Sequence, residues 1–136
     1  MKHILILEDL LEVQAALIKE LAKLEEKLAE DIFITSYSNS SDVEKIVNQQ
    51  PIDSYDVIIL DRNAKDGGTF HILDINRFGL DKIISTSSMP SINKQLLKQG
   101  VAGAVDKDLN HLEEFASEVI DKLEKILAES KSLRAR

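Results

Sequence analysis

Asp56-Val57-Ile58-Ile59-Leu60-Asp61-Arg62 is an unbroken apolar run closed at both ends by polar residues. A strand with one wet face alternates apolar and polar positions. A short continuous run instead reads as a strand covered on both faces, which a parallel sheet requires. Ile4-Leu5-Ile6-Leu7 reads the same way and is followed at once by Glu8 and Asp9. Three further apolar runs lie at Ile32-Phe33-Ile34, at Ile83-Ile84 and from Val101 to Val105.

Longer amphipathic stretches separate these runs. From Leu10 to Ala29, Leu10, Val13, Leu17, Leu21, Leu24 and Leu28 recur at helical spacing among Lys and Glu. Asp9 with Glu12 gives that helix a start resembling a capping box. The leucines also resemble a short zipper seam, but packing against a core explains them without a partner. A second helix is expected from about Ser41 to Gln49, stopped before Pro51. A third follows Gly67-Gly68 and ends near Gly79, and a fourth runs from Pro90 to Gly100. The last carries Leu112, Phe115, Val119, Ile120, Leu123, Ile126 and Leu127 on one stripe.

The order is (βα)5. Alternating strands and helices with right-handed crossovers form an α/β doubly wound parallel sheet, here with the flavodoxin-like strand order 2-1-3-4-5. One domain is expected over residues 1–128, with 129–136 as a frayed tail.

Composition narrows the class. The 136 residues are 43% hydrophobic and carry a net charge of −7, without Cys. Thiolate metal sites and disulfides are therefore excluded. The negative charge opposes a nucleic-acid backbone, so no direct nucleic-acid binding is expected, and the basic end Ser130-Lys131-Ser132-Leu133-Arg134-Ala135-Arg136 reads as a solubilising tail. No apolar run approaches membrane-spanning length and no signal-peptide pattern opens the chain, which makes the cytoplasm the expected compartment.

In an open α/β sheet the site lies beyond the carboxyl ends of the strands, where strand order reverses. Glu8 and Asp9 follow the first strand and Asp61 follows the third, so the order 2-1-3-4-5 brings these carboxylates together. Such a cluster repels itself unless a cation sits among its members, and a hard, oxygen-seeking ion such as Mg2+ suits it. Ser85, Thr86, Ser87 and Ser88 follow the fourth strand, and Lys107 follows the fifth. Taken singly, Glu8 and Asp9 read equally well as a helix cap, the hydroxyls as a loop, and Lys107 as a solvated charge. Together, at successive strand ends, they make a phosphoryl-transfer constellation, a chemistry of positioning and charge neutralisation. His3, His71 and His111 lack metal-ligand spacing and read as structural or surface residues. Gly67-Gly68 lacks the phosphate-loop and dinucleotide patterns and reads as a turn.

From His3 to about Leu127 the chain resembles the receiver domains of response regulators, including the stand-alone chemotaxis type. The pieces that carry the resemblance are ILILED, DVIILDR, IISTSS and GVAGAVDKD, in that order. The resemblance implies that Asp61 accepts a phosphoryl group from a phosphohistidine on a sensor histidine kinase or phosphotransfer protein. It implies Mg2+ held by Asp9, Asp61 and the backbone carbonyl of Asn63, with Glu8 acting through water. Lys107 would pair with the phosphoryl oxygens, and Ser87 would hydrogen-bond the new phosphate and draw in the following loop. Activity would be limited to self-catalysed phosphoryl acceptance and slow autodephosphorylation. A downstream protein partner and a monomer or homodimer are expected, with no membrane association.

The chain departs from the family pattern at several positions. Lys65 stands where Pro is usual, Asp66-Gly67 comes early, and Asp108 replaces the Pro after the lysine. Ala104 replaces the switch aromatic of the fifth strand. A pseudo-receiver that docks proteins without using phosphate is therefore the second reading. A small flavodoxin-like enzyme is a third, disfavoured by the lack of a cofactor-cradling loop.

Overall fold

The computed structural model describes residues 1–62 and 70–134. Five strands alternate with helices: β1 (Lys2–Leu7), α1 (Leu11–Leu28), β2 (Ile32–Tyr37), α2 (Ser40–Lys45), β3 (Val57–Leu60), α3 (Ile75–Phe78), β4 (Ile83–Ser85), α4 (Pro90–Gln99), β5 (Gly103–Ala104) and α5 (Leu112–Arg134). Single 3-10 turns fill Val47–Gln49, Phe70–Ile72 and Leu80–Lys82. All strand pairs are parallel and the order is β2-β1-β3-β4-β5, as the sequence pattern predicts.

The sheet divides the core in two. Ile4 and Ile6 of β1 with Val57 and Ile59 of β3 face α1 and α5, where Val13, Leu17, Leu21, Leu24, Phe115, Val119 and Leu123 pack on them. Leu5, Leu7, Ile58 and Leu60 face the other side, against Val43, Val47, Phe70, Phe78 and Leu96. All eight strand residues are fully buried, which is why neither run alternates in polarity. Leu17, Leu21 and Leu24 of α1 are core residues as expected, whereas Leu28 at the helix end is exposed.

Four local expectations are corrected. The Asp9–Glu12 capping box does not form: Leu10 is the N-cap of α1, without a side-chain cap, and the Leu10 N–H donates instead to Glu8 Oε2 at 2.9 Å. The second helix is one short α-helix followed by a 3-10 turn, because Ile46 leaves ideal helical geometry. The helix ending at Gly79 is a single turn capped by Asp74, whose side chain accepts from the Arg77 N–H. Regular pairing on the fifth strand covers only Gly103 and Ala104. The final helix, α5, runs from Leu112 to Arg134.

The fourth helix ends as read. Gly100 takes φ +111°, and its N–H and that of Val101 return to the Leu96 carbonyl at 3.1 and 3.2 Å, a left-handed closure that favours glycine. Among the described residues no helix is long and apolar enough to cross a membrane.

Candidate functional site

Strand register fixes what meets at the carboxyl edge. Leu7 pairs with both Tyr37 and Leu60, Leu60 with Ser85, and Ser85 with Ala104, one row across all five strands. The ladder continues past the row, with Asp61 N–H bonding Leu7 O, Thr86 N–H bonding Leu60 O, Val105 N–H bonding Ser85 O and Lys107 N–H bonding Ser87 O. One residue beyond the row stand Glu8 and Asp61 on adjacent strands, with Asp9 next.

The three carboxylates each offer an oxygen within 4.8 Å of the others, and all three residues are buried. Lys107 reaches in from the β5–α5 loop. Its Nζ lies 2.6 Å from Glu8 Oε1 and donates to Asp61 Oδ2 at 2.7 Å, and its side chain is only 3% exposed. Burial, reinforced by the neighbouring Asp61 charge, pushes the Glu8 carboxyl up to about 7 against the pull of Lys107 and the Leu10 N–H. Burial disfavours the Lys107 charge, but Glu8 and Asp61 outweigh it and hold its pKa above the ordinary lysine value.

Among the described residues, Lys107 sits against two of the three clustered carboxylates, Glu8 and Asp61. Oxygen donors this close suit a hard divalent cation, so the residues present fit Mg2+ or a similar ion.

The fold thus gathers Glu8, Asp9, Asp61 and Lys107. Ser87 joins them through the backbone, its carbonyl accepting from Lys107 N–H at 3.1 Å. The Ser87 hydroxyl is buried and accepts from the Met89 N–H at 3.0 Å. Ala104 is half-buried on β5. Asn63, Lys65 and the Asp66-Gly67-Gly68 stretch lie outside the described residues. His3 and His111 sit in ordinary contacts, His3 with Thr35 and Tyr55 and His111 with Asp108, while the His71 side chain is outside the described set.

Sequence reading missed Asn93. It is 2% exposed on α4, and its amide bonds to Ser85, to the Ser87 backbone and to Asp106. An apolar stripe does not flag an asparagine, and the signal that could have found it is its position on the inner face of α4, three residues before buried Leu96.

No protein-family model matches the sequence, and a comparison with curated proteins finds no match. Solved structures do match. A response regulator receiver domain protein from Clostridium thermocellum superposes with a TM-score of 0.70 at 18% identity, covering 98% of this chain and 99% of that one. A receiver domain from Rhodospirillum rubrum gives 0.60 at 16% identity over 94% and 93%. A response regulator from Burkholderia pseudomallei, described with a phosphorylated aspartic acid, a calcium ion and citrate, gives 0.55 at 14% identity over 90% and 72%. The chain therefore has the fold of response-regulator receiver domains.

Proposed function

We propose that this protein is a cytoplasmic phosphoryl-accepting receiver of a two-component relay, with its domain spanning residues 1–128. The observation that carries the reading is the buried Glu8–Asp9–Asp61 cluster closed by Lys107 at the carboxyl edge of a receiver-type sheet. An Asp61 carboxylate oxygen attacks the phosphorus of a phosphohistidine on a sensor kinase or phosphotransfer protein. The P–N bond breaks, its electron pair stays on the imidazole, and an acyl phosphate forms. Asp61 begins the reaction at the end of a fully buried strand, so its position is set by the sheet.

Mg2+, held by Asp9 and Asp61 with Glu8 acting through water, would neutralise phosphoryl charge when bound. Lys107 exchanges its Asp61 contact for a phosphoryl oxygen, and the Ser87 hydroxyl supplies a hydrogen bond. The phosphorylated aspartate and calcium ion described for the Burkholderia protein support the same chemistry at this rim. The pseudo-receiver reading rests on Ala104, which offers no ring to move between exposed and buried positions.

Mass spectrometry after incubation with Mg2+ and acetyl phosphate decides between them. Wild-type protein should gain one phosphoryl group and Asp61→Asn none. An unlabelled wild type supports the pseudo-receiver, and an equally labelled variant removes Asp61 from the reaction.

A further inference from the structure

Asn93 has no place in the phosphoryl chemistry, yet its buried side chain bonds to Ser85, Ser87, Val105 and Asp106. Its Oδ1 accepts from Ser85 Oγ at 2.6 Å and from Ser87 N–H at 3.1 Å. Its Nδ2 donates to Ser87 O at 2.9 Å and to Asp106 Oδ1 at 2.7 Å, with Val105 O at 3.4 Å. One amide thus ties four pieces together: α4, the end of β4, the β4–α4 turn and the β5–α5 loop. A primary amide has two donors and one acceptor oxygen, and here both ends are used, at a residue 2% exposed.

The placement gives this hub a mechanical meaning. Ser87 is gripped on both its N–H and its carbonyl, and the same carbonyl accepts from Lys107 N–H. A displacement of Ser87 toward a ligand on Asp61 pulls directly on Asn93, hence on the first turns of α4. The second Asn93 donor carries the same displacement to Asp106, next to Lys107. Ala104 pairs with Ser85 in the sheet and brings no side chain capable of this transfer.

We propose that Asn93 is the positioning residue that couples occupancy of the Asp61 rim to α4 and the β5–α5 loop. A buried, fully satisfied polar network has discrete arrangements, and altering one member shifts the others. The inference rests on the phosphoryl-acceptor reading above, and its test separates the two.

The experiment uses the full chain with Mg2+ and beryllofluoride, an acyl-phosphate mimic. Binding is followed by fluorine NMR, and the response by amide exchange over residues 91–99 and 105–110. Wild type should bind and change exchange in both segments. Asn93→Leu keeps the branched side-chain shape at somewhat larger volume, alters neither the carboxylates nor Lys107, and should bind with affinity close to wild type. Its bound-minus-free exchange difference should shrink by about fivefold or more. A merely structural role would loosen α4 equally in the free and bound states and leave that difference intact. Ser85→Ala, which removes one bond to Oδ1 with little change of volume, provides a milder second variant and should give an intermediate response. Wild-type responses in both variants, with beryllofluoride bound, overturn the coupling role alone. Failure of wild type to bind beryllofluoride overturns the phosphoryl-acceptor reading and this proposal with it.

Discussion

Lys107 and Asp61, 46 positions apart in sequence, are joined by a 2.7 Å charge-assisted hydrogen bond inside a pocket that also holds Glu8 and Asp9. That bond, with its 2.6 Å contact to Glu8, makes Lys107 a buried counter-ion to both carboxylates. The cluster's energetics follow from which charges the pocket retains.

Removing the ammonium should be costly. Lys107→Met keeps most of the stem and leaves Glu8 and Asp61 without their cation in a buried site. Breaking a buried pair in this way costs about 3–5 kcal/mol, which urea unfolding at pH 8 without divalent ions will read. The loss should be smaller near pH 5, where Glu8 carries a proton. A variant as stable as wild type at pH 8 would show that the pair is not buried in solution.

Glu8 gives the fold a pH dependence of definite sign. Its folded pKa is raised from 4.5 to about 7, chiefly by burial and then by Asp61. Between those values the folded state keeps a proton that the unfolded state releases. The contribution of Glu8 to stability is therefore greatest below the unfolded value, falls as pH rises through this window, and is level above it. The fall amounts to about 3 kcal/mol at 1.36 kcal/mol per unit. Glu8→Gln does not titrate, so wild-type stability relative to that variant should drop across this window in metal-free buffer. A pH-independent difference would contradict the raised value.

Mg2+ should bind weakly and lose affinity by about tenfold or more in Asp9→Ala, read by calorimetric titration. The same variant should melt higher than wild type without metal, because one of three crowded carboxylates is gone. Unchanged affinity would move the cation away from this cluster.

Thr86 offers a test free of the site's charges. It is 1% exposed, and its Oγ1 has no hydrogen-bond partner among the described residues. Thr86→Val replaces that hydroxyl by a methyl of similar size and should raise unfolding stability by about 1 kcal/mol. A loss of similar size would mean that the hydroxyl finds a partner in solution.

The sequence made the sheet legible because its central strands are buried on both faces. Ile4-Leu5-Ile6-Leu7 and Val57-Ile58-Ile59-Leu60 cannot alternate when each side chain enters one of two cores. Strand ends then located Glu8, Asp9, Asp61 and Lys107, since the register of a parallel sheet carries polarity to one edge. Helix starts were less legible. The Asp9–Glu12 pattern competes with a carboxylate from Glu8 that reaches the Leu10 N–H first, a contact set by the pocket. The short α2 and α3 reflect tertiary packing of Val43, Val47, Phe70 and Phe78, which a propensity window does not see. Asn93 was invisible for a related reason: its partners lie on three other segments, and the topology alone brings them together.

The two cores differ in how they are walled. On one side stand α1 with 18 residues and α5 with 23; on the other, α2 with 6, α3 with 4 and α4 with 10. Each residue of a short helix has fewer neighbours to hold it when one end frays. The molecule is thus mechanically lopsided, with a stiff back and a front assembled from shorter helices. Partial unfolding should begin at the front, and a protease acting on the native protein should cut there while α1 and α5 stay paired.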